Sequence, residues 1–299
     1  MPRFSSRCLV TCVTLLTGFA HAASAAEILV ADAKSQPESL TVAPGGVLIV
    51  GSASSPFVYK IRQGSTTAEK FVDASAEGAG TFFFGMLADV VINTLWTCQL
   101  TPVADATPVR RHTALRSFDL STGAPKLRWN LPNLQGDNST CNDFALGPDK
   151  ALYISDTSNS RIYKLAAGAS TAELFLEHRA LYGIDGLAFL DGTLYVNNVF
   201  SNNLYRIPVD AAGKAGQPVD IWMDQPVKGP DGMRAANGKL LVAENGSGKI
   251  SVITVNGDKA SVTVIKEGLK TPTAVEPAGD TIWVAERGTG KAVSIPMPK

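Results

Sequence analysis

The sequence has few of the residues that would place it in several common classes of protein. Of its 299 residues only three are His and four are Cys, and no Cys/His group has the spacing of a zinc site. No Gly-x-Ser-x-Gly segment occurs, so nothing supports catalysis by a serine nucleophile on a strand-to-helix turn. Basic and acidic residues are equal in number, 27 each. The chain therefore lacks the positive excess of a nucleic-acid-binding protein.

Long apolar runs are also scarce, and the clearest one lies at the N-terminus. It extends from Leu9 to Phe19, follows Arg3 and Arg7, and is followed by small residues up to Ala25. This pattern predicts a secretory signal peptide, residues 1–25, and a run this short is a poor membrane anchor. A retained signal anchor is the alternative. We expect an exported protein, periplasmic or secreted, with residues 26–299 forming one monomeric domain that has no membrane attachment after cleavage.

What the chain does contain is a repeated pair of short apolar strands. In each copy a first strand is followed by a turn with Gly or Asp, and a second strand returns. We call the first residue of each copy its leader residue. The leader residues are Glu38, Gly85 (in a weaker copy), Asn142, Asp185, Asp231 and Thr273. The last four are 42 to 46 residues apart, an interval typical of radially repeated β-sheets.

Further strand-like segments complete each repeat. Candidate outer strands lie between the copies, at Glu69–Asp73, Leu127–Leu131, Glu173–Glu177, Val219–Met223 and Ser261–Lys266. The last copy has no outer strand after it, and Ile28–Ala31 precedes the first copy. We therefore predict an all-β protein, a six-bladed β-propeller of four-stranded blades, in which Ile28–Ala31 pairs with Ala292–Ile295 and closes the ring.

Two cysteines remain after removal of the signal peptide, Cys98 and Cys141. An exported protein enters an oxidising compartment, where an even pair of cysteines favours a disulfide. In the predicted topology Cys98 ends the second strand of blade two and Cys141 precedes the first strand of blade three. Both then lie on one face, and a bond requires Cα atoms about 4.4–6.8 Å apart. Two buried free thiols are the alternative.

Four leader residues suggest a binding site on the propeller axis. The first strand of each blade lines the central channel, so Glu38, Asn142, Asp185 and Asp231 should converge there. Three carboxylates that converge repel one another unless a cation or protons neutralise them. Carboxylate and amide oxygens favour calcium, with magnesium, manganese or zinc as alternatives. The sequence therefore predicts one divalent cation held by these four residues, although polar residues that only cap strands would show the same pattern.

Three segments resemble the gluconolactonase/regucalcin (senescence marker protein) family, of which paraoxonases and diisopropylfluorophosphatase are more distant relatives. These are Glu38-Ser39-Leu40, Cys141-Asn142-Asp143 with Gly147-Pro148-Asp149, and Pro230-Asp231-Gly232-Met233. The resemblance implies a six-bladed propeller with a divalent cation bound by residues matching Glu38, Asn142 and Asp231. Asp185 stands where the family usually has Asn. The implied reaction is metal-assisted hydrolysis of a lactone or similar small ester, with Asp231 as the first candidate base and Asp185 as the second.

Other residues could contact a substrate. The second strands should end on the same face, which places Asp156, Asn198, Glu244 and Glu286 at its rim. We take Asn142, His178, Asn198, Glu244 and Glu286 as candidate substrate-binding residues, although rim residues are more often parts of solvated loops. The insertion from Gln99 to Ala114, with Arg110, Arg111 and His112, is a candidate lid or an exposed loop. Two other functions stay open: a non-catalytic propeller that binds a partner, and a non-hydrolytic enzyme similar to strictosidine synthase.

Overall fold

The computed structural model describes residue 1 and residues 26–104, 110–132, 138–210 and 212–298, which form an all-β structure. The predicted signal peptide lies outside the described residues, apart from its first residue. The first strands in chain order are β1 (Glu27–Leu29), β2 (Pro37–Ala43), β3 (Val47–Ser52), β4 (Phe57–Ile61), β5 (Glu69–Asp73), β6 (Phe82–Asp89), β7 (Thr94–Pro102), β8 (Arg111–Asp119), β9 (Pro125–Asn130), β10 (Cys141–Leu146), β11 (Leu152–Asp156), β12 (Arg161–Leu165) and β13 (Glu173–Glu177). The remaining strands are β14 (Ile184–Leu190), β15 (Thr193–Asn198), β16 (Leu204–Ile207), β17 (Val219–Met223), β18 (Pro230–Ala236), β19 (Lys239–Glu244), β20 (Lys249–Asn256), β21 (Lys259–Lys266), β22 (Pro272–Ala278), β23 (Thr281–Glu286) and β24 (Lys291–Pro296). Short 3₁₀ helices lie at Pro44–Gly46, Ser75–Glu77 and Arg179–Leu181.

The strands of the described residues form six antiparallel units of four, which we number as blades one to six. Blades one to five are β2–β5, β6–β9, β10–β13, β14–β17 and β18–β21. Blade six contains β22, β23 and β24, with β1 as its outer strand. A short parallel pairing of β17 with β21 joins the edges of blades four and five. The first strand of each blade contacts that of the next, and β22 contacts β2, so the units form a closed ring.

This arrangement confirms the predicted propeller and its closure. In blade six, β1 pairs with β24, as the sequence predicts, but β1 covers only Glu27–Leu29 and the register places Ile28 opposite Ala292, so Val30 and Ala31 lie outside the strand. Three outer strands, β5, β13 and β17, have the predicted bounds, while β9 and β21 each begin two residues earlier than predicted. The described residues include no helix that is long and apolar enough to cross a bilayer.

The apolar core is divided among the gaps between blades. Each of six buried clusters combines residues of two neighbouring blades. In blade three, for example, Phe144 and Ile154 pack toward blade two, whereas Ala145 and Tyr153 pack toward blade four. Successive side chains of a strand point to opposite faces, so each blade has two apolar faces. Only a closed ring covers both faces of every blade.

The insertion in blade two is largely strand and not loop. β7 continues to Pro102 and β8 begins at Arg111, with Thr101 paired to His112. Residues 105–109 lie outside the described residues. The paired part forms an extended hairpin that leaves His112 exposed, so the expectation of a loop across the whole segment is wrong.

The predicted disulfide is present. Cys98 is bonded to Cys141 with a Cα separation of 5.4 Å, and both residues are fully buried. Cys98 does not end the second strand of blade two, as the sequence suggested, because β7 extends four residues further. The bond joins blade two to blade three immediately before the leader residue Asn142, and therefore links the site region to its neighbouring blade.

Reduction of this disulfide is expected to lower the free energy of unfolding by about 2–5 kcal/mol, the usual effect of removing a native bridge. Urea unfolding with and without reductant measures the change. The double variant Cys98→Ala/Cys141→Ala is the control, because its stability should not respond to reductant. An equal response in the parent and the double variant would show that the bond is not the cause.

Candidate active site in the central channel

A β-bulge at the start of the inner strands positions the leader residues. In blade three Cys141 pairs with Asp156 and Phe144 pairs with Ile154, so Asn142 and the residue after it have no partner in the ladder. A bulge of this kind bends the strand and redirects its side chains. The same register break occurs in blades one, four and five, at Glu38-Ser39, Asp185-Gly186 and Asp231-Gly232.

The glycines after two leader residues allow neighbouring inner strands to approach closely. A Cβ atom at Gly186 would lie 2.6 Å from the carbonyl oxygen of Asp231, and one at Gly232 would lie 2.8 Å from that of Thr273. No side chain fits at these separations. The Asp-Gly pairs therefore bring the leader residues of adjacent blades side by side.

In blade two the position equivalent to a leader residue is Phe84 and not Gly85. The register break there falls between Phe83 and Met86, so Phe84 takes the first bulge position. Gly85 is the tight-packing residue after it, since a Cβ atom there would lie 2.2 Å from the carbonyl oxygen of Asn142. Phe84 is half-buried and its ring centroid lies 5.2 Å from that of Phe82. Phe84 packs against the core between blades two and three, so blade two has no oxygen donor at the leader position.

Asn142, Asp185 and Asp231 form a connected group, which we call the carboxylate arc. The amide Nδ2 of Asn142 donates to Asp185 Oδ2 at 2.8 Å and to Thr157 Oγ1 at 3.0 Å. After burial, the charge of Asp231 is the strongest influence that raises the pKa of Asp185, so the two carboxyl groups lie close together. Asn245 Nδ2 donates to Asp231 Oδ2 at 3.0 Å. Glu38 interacts with this group through its charge, and all four predicted ligands are less than a tenth exposed.

The electrostatics of the arc oppose ionisation of its carboxyl groups. Burial, and next the charge of Asp231, raise the pKa of Glu38 well above its usual range. The pKa of Asp185 is also raised well above its usual range, by burial and then by the charges of Asp231 and Glu38. Burial raises the pKa of Asp231 to about 7, although the hydrogen bond from Asn245 acts in the opposite direction. Without a cation, these groups therefore tend to hold protons near neutral pH.

The donor set suits a hard cation, but the structure contains no preformed coordination sphere. All the donors are carboxylate or amide oxygens, and Asp185 Oδ1 is buried without a hydrogen-bond partner among the described residues. Within the same residues, no three His, Cys, Asp or Glu side chains group closely enough to hold a metal ion. Binding would require the side chains to draw together around the ion. The predicted four-residue ligand set therefore stays a prediction.

A buried ion-pair network that the sequence analysis missed lies deeper in the channel. Arg234 Nη1 donates to both carboxylate oxygens of Asp143, at 3.1 and 2.9 Å, and Nε donates to Glu276 Oε2 at 3.0 Å. Its Nη2 donates to the carbonyl of Met86 at 3.0 Å, and Thr41 Oγ1 donates to Glu276 Oε1 at 3.1 Å. These contacts join five blades. The guanidinium therefore lies near the axis and obstructs the channel there, and charged residues within apolar inner strands were the available sequence signal.

Two predicted substrate contacts have structural hydrogen bonds. Asn198 Nδ2 donates to the carbonyls of Ala180 and Tyr182 at 3.1 and 2.8 Å, and its Oδ1 accepts from the backbone N–H of Phe200 at 3.0 Å. His178 Nδ1 accepts from the backbone N–H of Ala180 at 3.2 Å and caps the short helix that follows it. These bonds hold the loop leading into blade four, and a substrate-binding role for either residue remains untested.

The carboxylates at the ends of other second strands repeat one structural arrangement. Glu244 accepts from the backbone N–H of Lys228 at 3.0 Å, and Glu286 accepts from that of Lys270 at 2.7 Å. Asp156 accepts in the same way from the loop entering blade three, at 2.7 Å. All three are buried. They anchor the loops that enter the inner strands, and the substrate-binding roles predicted for Glu244 and Glu286 stay predictions.

Comparison with known proteins supports the fold. No protein-family model matches the sequence, and no curated protein matches it. Among solved structures, a gluconolactonase from Xanthomonas campestris is 17% identical, covers 92% of this chain and 90% of that chain, and has a TM-score of 0.67. A virginiamycin B lyase from Staphylococcus aureus is 14% identical over 92% and 99% of the two chains, with a TM-score of 0.63. A chain of a nidogen/laminin complex is 16% identical over 84% and 88%, with a TM-score of 0.60.

These likenesses confirm at the level of fold the resemblance to gluconolactonases that the sequence motifs predicted. Proteins with different functions share this fold, among them a lyase and a chain of a protein complex, so the fold does not identify the function. Function has to be argued from the channel.

Proposed function

We propose that the protein is a divalent-metal-dependent hydrolase of the lactonase or esterase type, which acts on a small molecule in the central channel. The observation that carries the proposal is the carboxylate arc: Asp185 and Asp231 are buried side by side, and Asp185 Oδ1 has no partner in the described part of the chain. A non-catalytic binding protein could line its channel with uncharged residues and would not need these carboxyl groups. Buried carboxyl groups that raise one another's pKa destabilise the fold, which favours a functional reason for them.

The residues present fit a calcium ion in their chemistry, with Asp185, Asp231 and Asn142 on one side and Glu38 contributing from blade one. When bound, such an ion polarises the ester carbonyl and stabilises the oxyanion. Asp231 is the first candidate for the base that activates water, because the resemblance to gluconolactonases implies that this position lies near the substrate. Asn245 orients its carboxyl group by donating to Oδ2. Asp185 is the second candidate base.

The surroundings of the arc suit hydrolysis of a small ester. Phe84 places an apolar residue at the leader position of blade two, and the Arg234 network obstructs the channel beyond the leader residues. A substrate would therefore enter and leave on the side of the leader residues. The buried disulfide is compatible with an exported protein, and export as a monomer remains part of the proposal.

The decisive experiment measures the metal content of the purified protein and then its hydrolysis of gluconolactone and phenyl acetate with and without chelator. We expect bound calcium, hydrolysis, loss of activity with chelator and recovery on addition of calcium. Hydrolysis that is indifferent to chelator would refute the metal dependence. Metal-free protein without hydrolytic activity would favour the non-catalytic platform or a non-hydrolytic enzyme.

Metal-free protein is expected to lose stability as the pH rises from about 4 to above 7. The folded-state pKa values of Glu38, Asp185 and Asp231 are raised above their ordinary values. The stabilisation from bound protons is therefore complete below the unfolded-state pKa and disappears as the pH rises through the folded-state pKa, about 7 for Asp231. For Asp231 alone the loss is on the order of 4 kcal/mol. Urea unfolding in chelator across this pH range measures it.

Calcium provides the control for that pH dependence. Because calcium and protons compete for the same oxygens, added calcium should restore stability at about pH 8 and have little effect at about pH 5. The double variant Asp185→Asn/Asp231→Asn should show a flatter pH dependence and a weaker response to calcium. A calcium effect of equal size at both pH values would place the ion outside the arc.

A further inference from the structure

Arg287 is a cation beside the arc whose hydrogen-bonding capacity is largely unused. It directly follows β23, at the end of the second strand of blade six. Its Nε and Nη2 both donate to one atom, Gln36 Oε1, at 3.3 and 3.2 Å. Among the described residues Nη1 has no partner, and no carboxylate forms an ion pair with the guanidinium. A half-buried guanidinium held by one amide oxygen can accept an anion.

The position of Arg287 links the arc to a neighbouring cavity. The positive charge of Arg287 partly offsets the rise in the pKa of Glu38 and of Asp231. Arg287 therefore lies within electrostatic reach of both carboxyl groups, although it forms no hydrogen bond with either. Arg287 also lines a cavity of about 700 Å³ between blades six and one, together with Lys34 and Tyr59. This volume lies within the range of small-molecule sites, about 300–1,000 Å³.

The charged residues that line the cavity favour binding of an anion there, next to Arg287. Lys34 brings a second positive charge. Asp32 is the one carboxylate among the lining residues described, and its Oδ1 already accepts from the backbone N–H of Lys34 at 2.7 Å. The arc, in contrast, consists of carboxyl and amide groups and offers an anion no positively charged side chain. A molecule that spans both regions would therefore place its anionic end in the cavity and an uncharged carbonyl at the arc.

We propose that Arg287 anchors an anionic group of the substrate in this cavity, and that the substrate is a lactone or ester bearing a carboxylate or phosphate. The assignment of the reacting end rests on the proposed function. The guanidinium offers Nη1 and Nη2 to two oxygens of such a group, a bidentate geometry that suits both carboxylate and phosphate. The bonds to Gln36 hold the guanidinium in place.

A binding experiment tests the anchor without relying on catalysis. Calorimetry compares gluconate with sorbitol, and glycerol phosphate with glycerol, since each pair differs by the anionic group. We expect at least one anion to bind about tenfold or more tightly than its neutral partner, the effect of a charge-assisted hydrogen bond. The pair that discriminates more strongly distinguishes carboxylate from phosphate. Equal affinities within both pairs would overturn the proposal.

Two variants test the role of Arg287 in different ways. Arg287→Gln removes the charge, whereas Gln36→Glu keeps Arg287 and occupies it with a carboxylate. Both should abolish the preference for the anion, while Arg287→Lys should retain part of it. Arg206→Gln is the matched control, because Arg206 pairs with Asp258 on the outer strands. A preference that survives in both Arg287→Gln and Gln36→Glu, with their folds intact by circular dichroism, would exclude Arg287 as the anchor.

An activity comparison separates this inference from the proposed function. Phenyl acetate and para-acetoxybenzoate carry the same reacting ester, and only the second has a carboxylate. Arg287→Gln should lower kcat/KM for the charged ester about tenfold or more, mainly through KM, and change that for the neutral ester by less than about twofold. If the parent hydrolyses neither ester nor lactone, the proposed function fails, and the calorimetry still decides whether Arg287 binds anions. Equal losses for both esters would contradict an anchoring role.

Discussion

Asp231→Ala is expected to abolish hydrolysis, lowering kcat/KM by about 10²–10⁴-fold or more, the range for loss of a general base. Alanine removes the carboxyl group with the pKa of about 7 and one of the oxygen donors proposed for calcium. It also leaves Asn245 Nδ2 without its acceptor. Initial rates with gluconolactone at saturating calcium, together with a calcium titration, measure both effects. We expect calcium affinity and activity to fall together.

Asp185→Asn is the comparison within the same arc. Asparagine keeps one side-chain oxygen, which can still accept from Asn142, but removes a charge. Calcium affinity should fall by about tenfold while binding persists, because the ligand count is unchanged and the ligand charge is lower. Glu244→Gln is the control for a buried carboxylate outside the arc, and should lower stability without changing calcium affinity. Unchanged calcium affinity in Asp185→Asn would exclude Asp185 as a ligand, and full activity in Asp231→Ala would exclude Asp231 as the base.

Arg234→Leu is expected to lower the free energy of unfolding by about 3–5 kcal/mol. The guanidinium, about a tenth exposed, is the shared partner of Asp143 and Glu276. Its loss leaves the buried carboxyl group of Asp143 and the partly buried one of Glu276 without a counterion, and the carbonyl of Met86 without a donor. Burial of unpaired charge is among the most destabilising changes in a protein core. Urea unfolding of the parent and the variant measures the difference.

A compensated variant shows whether unpaired charge is the cause. Adding Asp143→Asn and Glu276→Gln to Arg234→Leu removes the carboxylates, and most of the lost stability should return. Arg206→Leu, which breaks an exposed ion pair with Asp258, should cost less than about 1 kcal/mol. If the triple variant is as unstable as Arg234→Leu alone, packing of the arginine side chain and not its charge accounts for the loss.

The sequence alone determined the fold and the polar positions at the axis. Repeated strand pairs 42 to 46 residues apart predicted the blades. A sheet that is apolar on both faces needs a similar sheet packed against each face. The pairing of an N-terminal strand with the last strand of blade six was predicted for the same reason, since that blade lacked an outer strand, but the register was not. The pairing of Cys98 with Cys141 was predicted because they are the two cysteines that follow the predicted signal peptide. Asp185 and Asp231 were identifiable because carboxylates rarely begin apolar inner strands.

Tertiary structure alone decided which polar groups share the channel. The bulges shift register by one residue, which made Phe84 and not Gly85 the equivalent position in blade two, and no local pattern reports that shift. Glu244 was a candidate substrate contact because of its place at a strand end, and only the structure shows that it accepts from the backbone N–H of Lys228 and anchors a loop. Arg234 meets Asp143, 91 residues away, only when the ring closes. Such contacts depend on the relative positions of whole blades, and those positions are set by packing between sheets, which the alternation within one strand does not encode.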